Sequence, residues 1–412
     1  MRITRLDVHS LYEPTNGAAR DWWSTTPLDV LYDADVGHLD RRQPGAERAG
    51  VISNVVVQVH TDEGFTGVGN VGVGSPAAAT VIEHHLAPLV LGRDPFDLEL
   101  LWQTMYRHTL NIGRKGLAVE ALSAIDIALW DIVGKATGQP LYNLLGGRTR
   151  SAIRAYASQC YAREDLDALG AEARGYVEEG YTALKMRFGY GPGDGRRGML
   201  RNRELVATVR EAIGPDVELA AEAYMGWDET YAIAMIRMVE DFGLAWVEEP
   251  VLPDRIDAYA RIRRSVSTPI SGGEHEFTLQ GFHQLLQAGA VDIVQPDVNR
   301  MGGITEARKV WALAEAHGLR VVPHGNQAHN AHLIMASFSS PLIEVFPDDG
   351  VRPGYKLHHE FFDGEPRAKG GWVEASDRPG LGLELNHAAI ERYRAAELTL
   401  SADAAAPHDR RP

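Results

Sequence analysis

Three short apolar runs that end in glutamate constrain this chain more than any other feature. LAAE, LAWVE and ISGGE close on Glu222, Glu248 and Glu274, and successive glutamates stand 26 residues apart. Each run reads as a buried strand. A strand, a helix and two loops take roughly 25 to 35 residues, so this interval is the beat of a βα unit. Ionised carboxylates gathered at the ends of buried strands repel one another unless a cation joins them. Three oxygen ligands with coordination positions to spare suit a hard divalent ion such as Mg²⁺. The competing reading has three independent glutamates capping the helices that follow.

The beat extends in both directions. From Ala152, the runs IRAYAS, TALKMR, VELAAE, LAWVEE, TPISGG, VDIVQP, LRVVPH and PLIEVF alternate with amphipathic stretches over 165–179, 200–213, 229–242, 253–265, 278–288, 304–317 and 327–337. Eight strands over about 200 residues is the format of an α/β, (β/α)8 TIM-type barrel, whose chemistry sits at the C-terminal ends of the strands. A doubly wound open sheet is the alternative, but no GxGxxG opens a βαβ unit. The barrel is expected over 148–370.

Before it, residues 1–147 read as α+β. Leu6 and Val8 alternate with polar neighbours, and Ile3 falls out of phase with them. VVVQVHTDEGFTGVG has the form of a hairpin. Helical patterns cover 76–90 and 95–110. Another spans AVEALSAIDIALWDIVGKATG, where Leu122, Ile125, Leu129 and Ile132 share a face and Gly138 ends the pattern. Residues 11–50 lose periodicity, as a lid or a disordered excursion would. Trp22, Trp23, His38, Arg107 and His108 are open between ligand contacts and surface packing. Residues 371–395 follow the eighth strand, and 396–412 are expected to be a disordered tail.

Composition narrows the partners. A formal net charge of −15 without a long Lys/Arg run disfavours nucleic acid and anionic membranes. The single cysteine, Cys160, excludes an internal disulfide and suits a reducing compartment. The first residues lack an apolar signal core and no run of 18 apolar residues occurs, so a cytoplasmic protein is expected.

The remaining strand ends supply chemistry around the ion: Lys185 and Arg187 on the second strand, Asp297 on the sixth, His324 on the seventh and Glu344 on the eighth. In a closed barrel, Lys185 and His324 flank a ligand from two sides. A carboxylate held on a dication has acidified α-hydrogens, because the ion takes up charge as an ene-diolate forms. His324 is the candidate base, with Asp297 fixing its tautomer; a structural histidine is the plain alternative. Lys185 is open between acid, base and electrostatic clamp. Glu344 either hydrogen-bonds the substrate or serves as a cap or ion pair. Arg187, Tyr224 and His275 are candidates for substrate contacts or the pocket rim. His329 and His332 fall in the next helix, open between site and packing. The Gly/Arg-rich stretch 188–202 reads as a solvent loop or as an Arg-bearing lip.

Together these residues resemble the enolase superfamily in its mandelate racemase subgroup, and within it the acid-sugar dehydratases of the L-rhamnonate and L-lyxonate type. The likeness runs from VVVQVHTDEGFTGVG and AIDIALWDIVGKATGQPLYNLLGG through the barrel to PGLGLELN. It implies an N-terminal capping domain completed by the C-terminal segment and a homo-oligomer. It also implies Glu222, Glu248 and Glu274 as Mg²⁺ ligands, a His324–Asp297 base dyad, and Lys185 on the second strand. Two departures bear on mechanism. Glu222-Ala223-Tyr224 replaces the usual D-x-N or D-x-H, and Lys185-Met186-Arg187 replaces K-x-K, which favours one-sided over two-base chemistry. The expected reaction is Mg²⁺-dependent dehydration of an aldonate or aldarate to a 2-keto-3-deoxy acid. Its rivals are an epimerase or racemase, a non-catalytic metal- or ligand-binding protein, and a metal-assisted hydrolase.

Overall fold

A computed structural model describes residues 1–14, 22–31, 51–72, 76–347 and 360–402. His38 and most of the aperiodic stretch 11–50 lie outside the described residues. Strands β1 (Ile3–Pro14), β2 (Val51–Thr61) and β3 (Thr66–Val71) form an antiparallel sheet. A β-bulge between Ile3 and Arg5 shifts the register of β1. That bulge explains why Ile3, out of phase in sequence, is as buried as Leu6 and Val8.

The outer edge of this sheet corrects one expectation. Residues 394–401, mostly assigned to a disordered tail, form a strand antiparallel to β1. Leu398 and Leu400 pack on the cap core while Thr399 Oγ1 donates to Asp7 Oδ1 at 3.0 Å. An Ala/Glu/Thr composition suggests disorder only until an open edge of β1 offers backbone partners.

Helices α1 (Leu98–Thr109) and α2 (Leu117–Thr137) cover the sheet. α2 stops at Gly138, whose φ of +66° closes the C-terminus as only glycine does readily. Gly67 and Gly69 of β3 press directly onto the backbone of Ala128 and Ala124, leaving no room for a Cβ. Two aspartates on α2 are fully buried and both join parts of the chain. Asp131 accepts from Val68 N (3.0 Å) and Leu381 N (2.8 Å), tying the returning C-terminal segment to the cap. Asp126 accepts from Thr305 N (2.9 Å) and Thr305 Oγ1 (2.6 Å), clamping cap to barrel.

The barrel strands are β4 (Ile153–Ser158), β5 (Ala183–Arg187), β6 (Glu218–Glu222), β7 (Val247–Glu248), β8 (Ile270–Gly272), β9 (Ile293–Val294), β10 (Arg320–Val321) and β11 (Leu342–Val345). They pair in parallel in the order β10-β9-β8-β7-β6-β5-β4-β11, so the sheet curls round until β10 approaches β11. That seam is bridged by Val321 N–H to Ser339 O at 3.1 Å. Helices α3 (Leu166–Glu178), α4 (Gly195–Ile213), α5 (Glu229–Val239), α6 (Ile256–Ser265), α7 (Thr278–Gln287), α8 (Gly303–Ala316) and α9 (Ala328–Met335) lie between strands, each near its predicted position. Inside, Tyr156, Ala183, Ala220, Trp246, Ile293, Val322 and Leu342 form a core layer below the strand ends.

The stretch 188–202 is ordered. Asn202 Oδ1 accepts from Gly189 N (3.0 Å) and Tyr190 N (3.1 Å), and α4 begins at Gly195. Arg196 and Arg197 are exposed, and Arg201 pairs with Glu164 at 2.9 Å, so no arginine lip forms from them. The cap segment Trp22–Leu31 lies over this region: Trp23 Nε1 donates to Gly189 O (2.9 Å), and Thr25 Oγ1 to Ala223 O (2.7 Å). Arg107 and His108 sit on α1 and take no part in the barrel mouth; Arg107 Nε donates to Gln103 Oε1 at 3.3 Å.

Candidate active site

The strand ends turn sharply to present their side chains. Cys160, Tyr224, Met225 and Glu249 all have left-handed backbone (φ +52°, +42°, +60° and +42°), a conformation that costs non-glycine residues energy and clusters at functional sites. Cys160 itself is buried. Because β6, β7 and β8 are neighbours in parallel register, Glu222 and Glu248 come side by side and Glu274 follows just past β8. One carboxylate oxygen from each of the three lies within 4.8 Å of the others, and all three residues are buried. Oxygens this close, on groups this buried, form a donor set fitted to a hard divalent cation.

Lys185 was expected to flank a ligand opposite His324. Instead its Nζ is fully buried beneath the carboxylates, paired with Glu222 (3.0 Å), Glu344 (2.9 Å) and Glu248. Burial alone lowers an ammonium's pKa, but Glu248 and Glu344 outweigh it and hold Lys185 protonated. Glu344 also serves the scaffold: its Oε2 accepts from Gly325 N at 2.7 Å, steadying the turn after His324. Its pKa is lowered because Lys185 and His324 outweigh burial. Arg187, two residues further along β5, does reach the cavity, where it pairs with Glu222 and donates to Ser158 Oγ at 3.1 Å.

His324 stands with Asp297, as expected. Nδ1–H donates to Asp297 Oδ2 at 2.8 Å, and Nε2 lies 3.5 Å from Glu274 Oε1. Burial disfavours the imidazolium, but Glu274 and the Asp297 hydrogen bond outweigh it and push the pKa to about 9. Asp297 is itself held below its ordinary range, since His324 and Arg300 prevail over burial. A second, similar pair also adjoins Glu274. His275 Nδ1–H donates to Glu249 at 2.9 Å, and its Nε2 is 4.0 Å from the same Glu274 Oε1. Two carboxylate-held imidazoles thus approach one oxygen of Glu274.

A cavity of about 250 Å³ opens over this cluster, and Glu222, Glu274, Asp297, His324, Arg187 and Tyr224 line it. Burial pushes the Tyr224 hydroxyl to about 12, so it stays a neutral hydrogen-bonding group. Several other lining residues went unrecognised in the sequence. Arg300 is partly buried and pairs with Glu274 (3.1 Å) and Asp297 (3.6 Å). Its offset of three from Asp297 is the one signal that could have found it. Ser24, Tyr161, Asn326, Gln327 and Phe346 also line the cavity, brought there from the cap and from turns after β4, β10 and β11. His329 and His332 are buried in α9 as packing residues; His332 takes Tyr142 N–H on Nδ1 (3.2 Å) and faces Leu381 O with Nε2 (3.2 Å).

Comparison with known proteins gives the chain's family and relatives. A family model described as "Enolase C-terminal domain-like" matches residues 168–389. Another, the N-terminal domain of "Mandelate racemase / muconate lactonizing enzyme", matches residues 47–146. D-galactarolactone cycloisomerase of Agrobacterium fabrum is 37% identical over 379 residues, 89% of this chain and 95% of that protein. L-rhamnonate dehydratase of Saccharopolyspora erythraea is 37% identical over 339 residues, covering 82% and 84% respectively. Among solved structures, rhamnonate dehydratase from Gibberella zeae complexed with Mg superposes with a TM-score of 0.80 at 29% identity, covering 95% of this chain and 96% of that one. No helix among the described residues is long and apolar enough to cross a membrane.

Proposed function

The chain belongs to the mandelate racemase / muconate lactonizing enzyme family, and from that membership we propose that it is a Mg²⁺-dependent hydro-lyase that dehydrates an aldonate or aldarate to a 2-keto-3-deoxy acid. The observation that carries the reading is the His324–Asp297 dyad, whose free nitrogen faces the carboxylate cluster at 3.5 Å. The dehydratase relatives and the Mg complex of one of them support it.

Glu222, Glu248 and Glu274 would hold the ion, which when bound supplies the Lewis acidity that makes the α-hydrogen of a substrate carboxylate removable. His324 Nε2 takes that proton from C2, while Asp297 fixes the ring and favours the resulting imidazolium. The C3 hydroxyl leaves as water, with a proton returned by His324 Nε2 or delivered by His275, and the enol tautomerises to the 2-keto acid. Arg187 and Tyr224 orient the substrate across the cavity. Lys185 stays protonated among Glu222, Glu248 and Glu344 and offsets their repulsion.

A racemase with its second base on β5 is disfavoured, because that strand presents Arg187 to the cavity, and an arginine does not release its proton at working pH. Incubation with Mg²⁺ and a panel of aldonates and aldarates, read as semicarbazone of a 2-keto acid, tests the proposal. A signal abolished by EDTA and by His324→Asn is expected. Exchange of solvent deuterium into C2 without 2-keto acid would replace dehydration by epimerisation.

A further inference from the structure

We propose that Asn299 is a positioning residue through which the cap holds the base dyad: it carries the docking of β3 into the orientation of Asp297 and hence of His324. The hold itself is geometric; its weight in proton transfer rests on the dehydratase reading above.

Asp297 needs an outside anchor. β9 ends at Val294, so Asp297 stands three residues beyond a two-residue strand, on a turn at the barrel mouth. Such turns are the mobile part of a scaffold unless something packs on them. The turn's own bond, Asn299 N–H to Asp297 Oδ1 at 2.8 Å, ties the carboxylate to residue 299 but leaves the two free to move together. The Asn299 side chain removes that freedom. It is buried, and its Nδ2 donates to Asn70 O at 2.7 Å and to Asn70 Oδ1 at 3.2 Å. Asn70 lies on β3, in register with Val56 of β2, and Gly67 and Gly69 of the same strand sit against the backbone of α2. A run of buried contacts therefore leads from α2 through β3 and Asn299 to Asp297, and from there at 2.8 Å to His324 Nδ1.

Shape supports the same link. Gly72, just past the end of β3, lines the cavity, and a Cβ there would stand 3.4 Å from Asn299 Cβ and 3.9 Å from Asp297 Oδ2. The cap strand thus ends against the dyad itself. At the far end of the turn, Gly302 N donates to Ser123 Oγ (2.9 Å) and Trp102 Nε1 donates to Gly302 O (2.7 Å), so α1 and α2 fix it a second time. A carboxamide suits position 299 because the Asn70 carbonyl needs a donor, which an ionised aspartate or an aliphatic side chain of that size lacks. Catalytic groups tolerate a displacement of only about 0.5 Å, and one of about 1 Å can cost roughly 10²-fold in rate.

Full-length Asn299→Ala, loaded with Mg²⁺, is compared with Thr305→Val, which cuts the cap–barrel bond from Thr305 Oγ1 to Asp126 (2.6 Å) and leaves the 297–299 turn untouched. With the sugar acid that the substrate panel identifies, Asn299→Ala should lower kcat roughly tenfold or more while KM stays within about threefold. Thr305→Val should keep kcat within about threefold even where it lowers the melting temperature as much. The low-field proton resonance of the His324 Nδ1–H bond to Asp297, identified by its loss in His324→Asn, reads the hold without turnover. It should broaden or shift in Asn299→Ala and persist in Thr305→Val. If Asn299→Ala does not fold, Asn299→Ser, whose donor is too short to span the gap, takes its place with the same expectations. A wild-type resonance and kcat in the Asn299 variant, or equal losses in Thr305→Val, would overturn the inference. If no sugar acid is turned over, the dehydratase reading fails, and the resonance alone decides whether Asn299 holds the dyad.

Discussion

Asp297 holds His324 by one hydrogen bond, 2.8 Å from Oδ2 to Nδ1, while its other oxygen accepts from Asn299 N at 2.8 Å. The carboxylate is thereby anchored to the turn after β9, and the imidazole to the carboxylate. Nε2 is left as the nitrogen that faces the cavity. Asp297→Asn keeps the shape but offers Nδ1 an amide, which removes the charge that favours the imidazolium. It should lower kcat by roughly 10² to 10⁴, as His324→Asn should, with far smaller changes in KM. Steady-state kinetics on circular-dichroism-matched proteins would check this; a kcat within tenfold of wild type would remove His324 from the mechanism.

The Glu222–Glu248–Glu274 cluster should make stability depend on Mg²⁺. An ion that binds only the folded chain stabilises it by about 2.7 kcal/mol at a hundredfold excess over its Kd. Melting curves with and without EDTA should therefore separate by several degrees, and Glu248→Gln should narrow the gap. Coincident curves would argue against a resident ion.

His324 should report the ion directly. Its folded pKa of about 9 lies above the unfolded value near 6.5. In the metal-free protein its contribution to stability is therefore complete below about pH 6.5 and lost as pH rises through 9. A dication on Glu274 offsets the charge that raises this pKa most. Mg²⁺ binding near pH 8 should thus expel up to one proton. Calorimetry in buffers of different ionisation enthalpy would count it, and His324→Asn should abolish the release.

How much of this site was legible in the sequence follows from which forces act locally. The strand ends, the three glutamates and the His324–Asp297 pair lie on alternating apolar and amphipathic runs, and parallel pairing of consecutive strands turns that rhythm into neighbours in space. The depth of Lys185 was not legible. Residues 185 and 187 share one face of β5, so both point inward, but one lies a strand step deeper and meets the carboxylates from below. Ser24, Tyr161 and Gln327 were hidden for another reason: their segments have no periodicity, and only the docking of cap on barrel brings them together. The C-terminal strand was misread because its Leu398 and Leu400 alternation is short and needs β1 to give it meaning.

Lys185 provides a test of that depth. As a base facing the substrate it would be dispensable for folding. As the cation beneath Glu222, Glu248 and Glu344, its removal leaves buried carboxylates uncompensated, an effect of about 3–5 kcal/mol. Lys185→Met should therefore lower the urea midpoint strongly in the metal-free protein, with Mg²⁺ recovering part of the loss. An unchanged midpoint would return Lys185 to the list of acid–base candidates.

His332 makes the fold sensitive to acid far from the reacting atoms. Tyr142 N–H donates to its Nδ1 and its Nε2–H donates to Leu381 O, so the buried ring must be neutral to satisfy both partners. Protonating Nδ1 would set two donors against each other. Burial lowers its pKa to about 4, and that of the neighbouring His329 to about 4 as well. Because the folded values lie below the unfolded 6.5, the unfolded chain binds more protons once pH drops under 6.5. The stabilisation is intact above pH 6.5 and disappears between 6.5 and 4, by as much as about 3 kcal/mol per ring at one unit per 1.36 kcal/mol. Most carboxylates titrate below pH 5, so the loss between pH 7 and 5 should belong largely to these histidines. Urea unfolding at those two pH values measures it, and His332→Gln should flatten the slope whatever it does to the midpoint itself. An equally steep slope in the variant would show that the ring tolerates its proton in the folded state and that the Tyr142 contact yields.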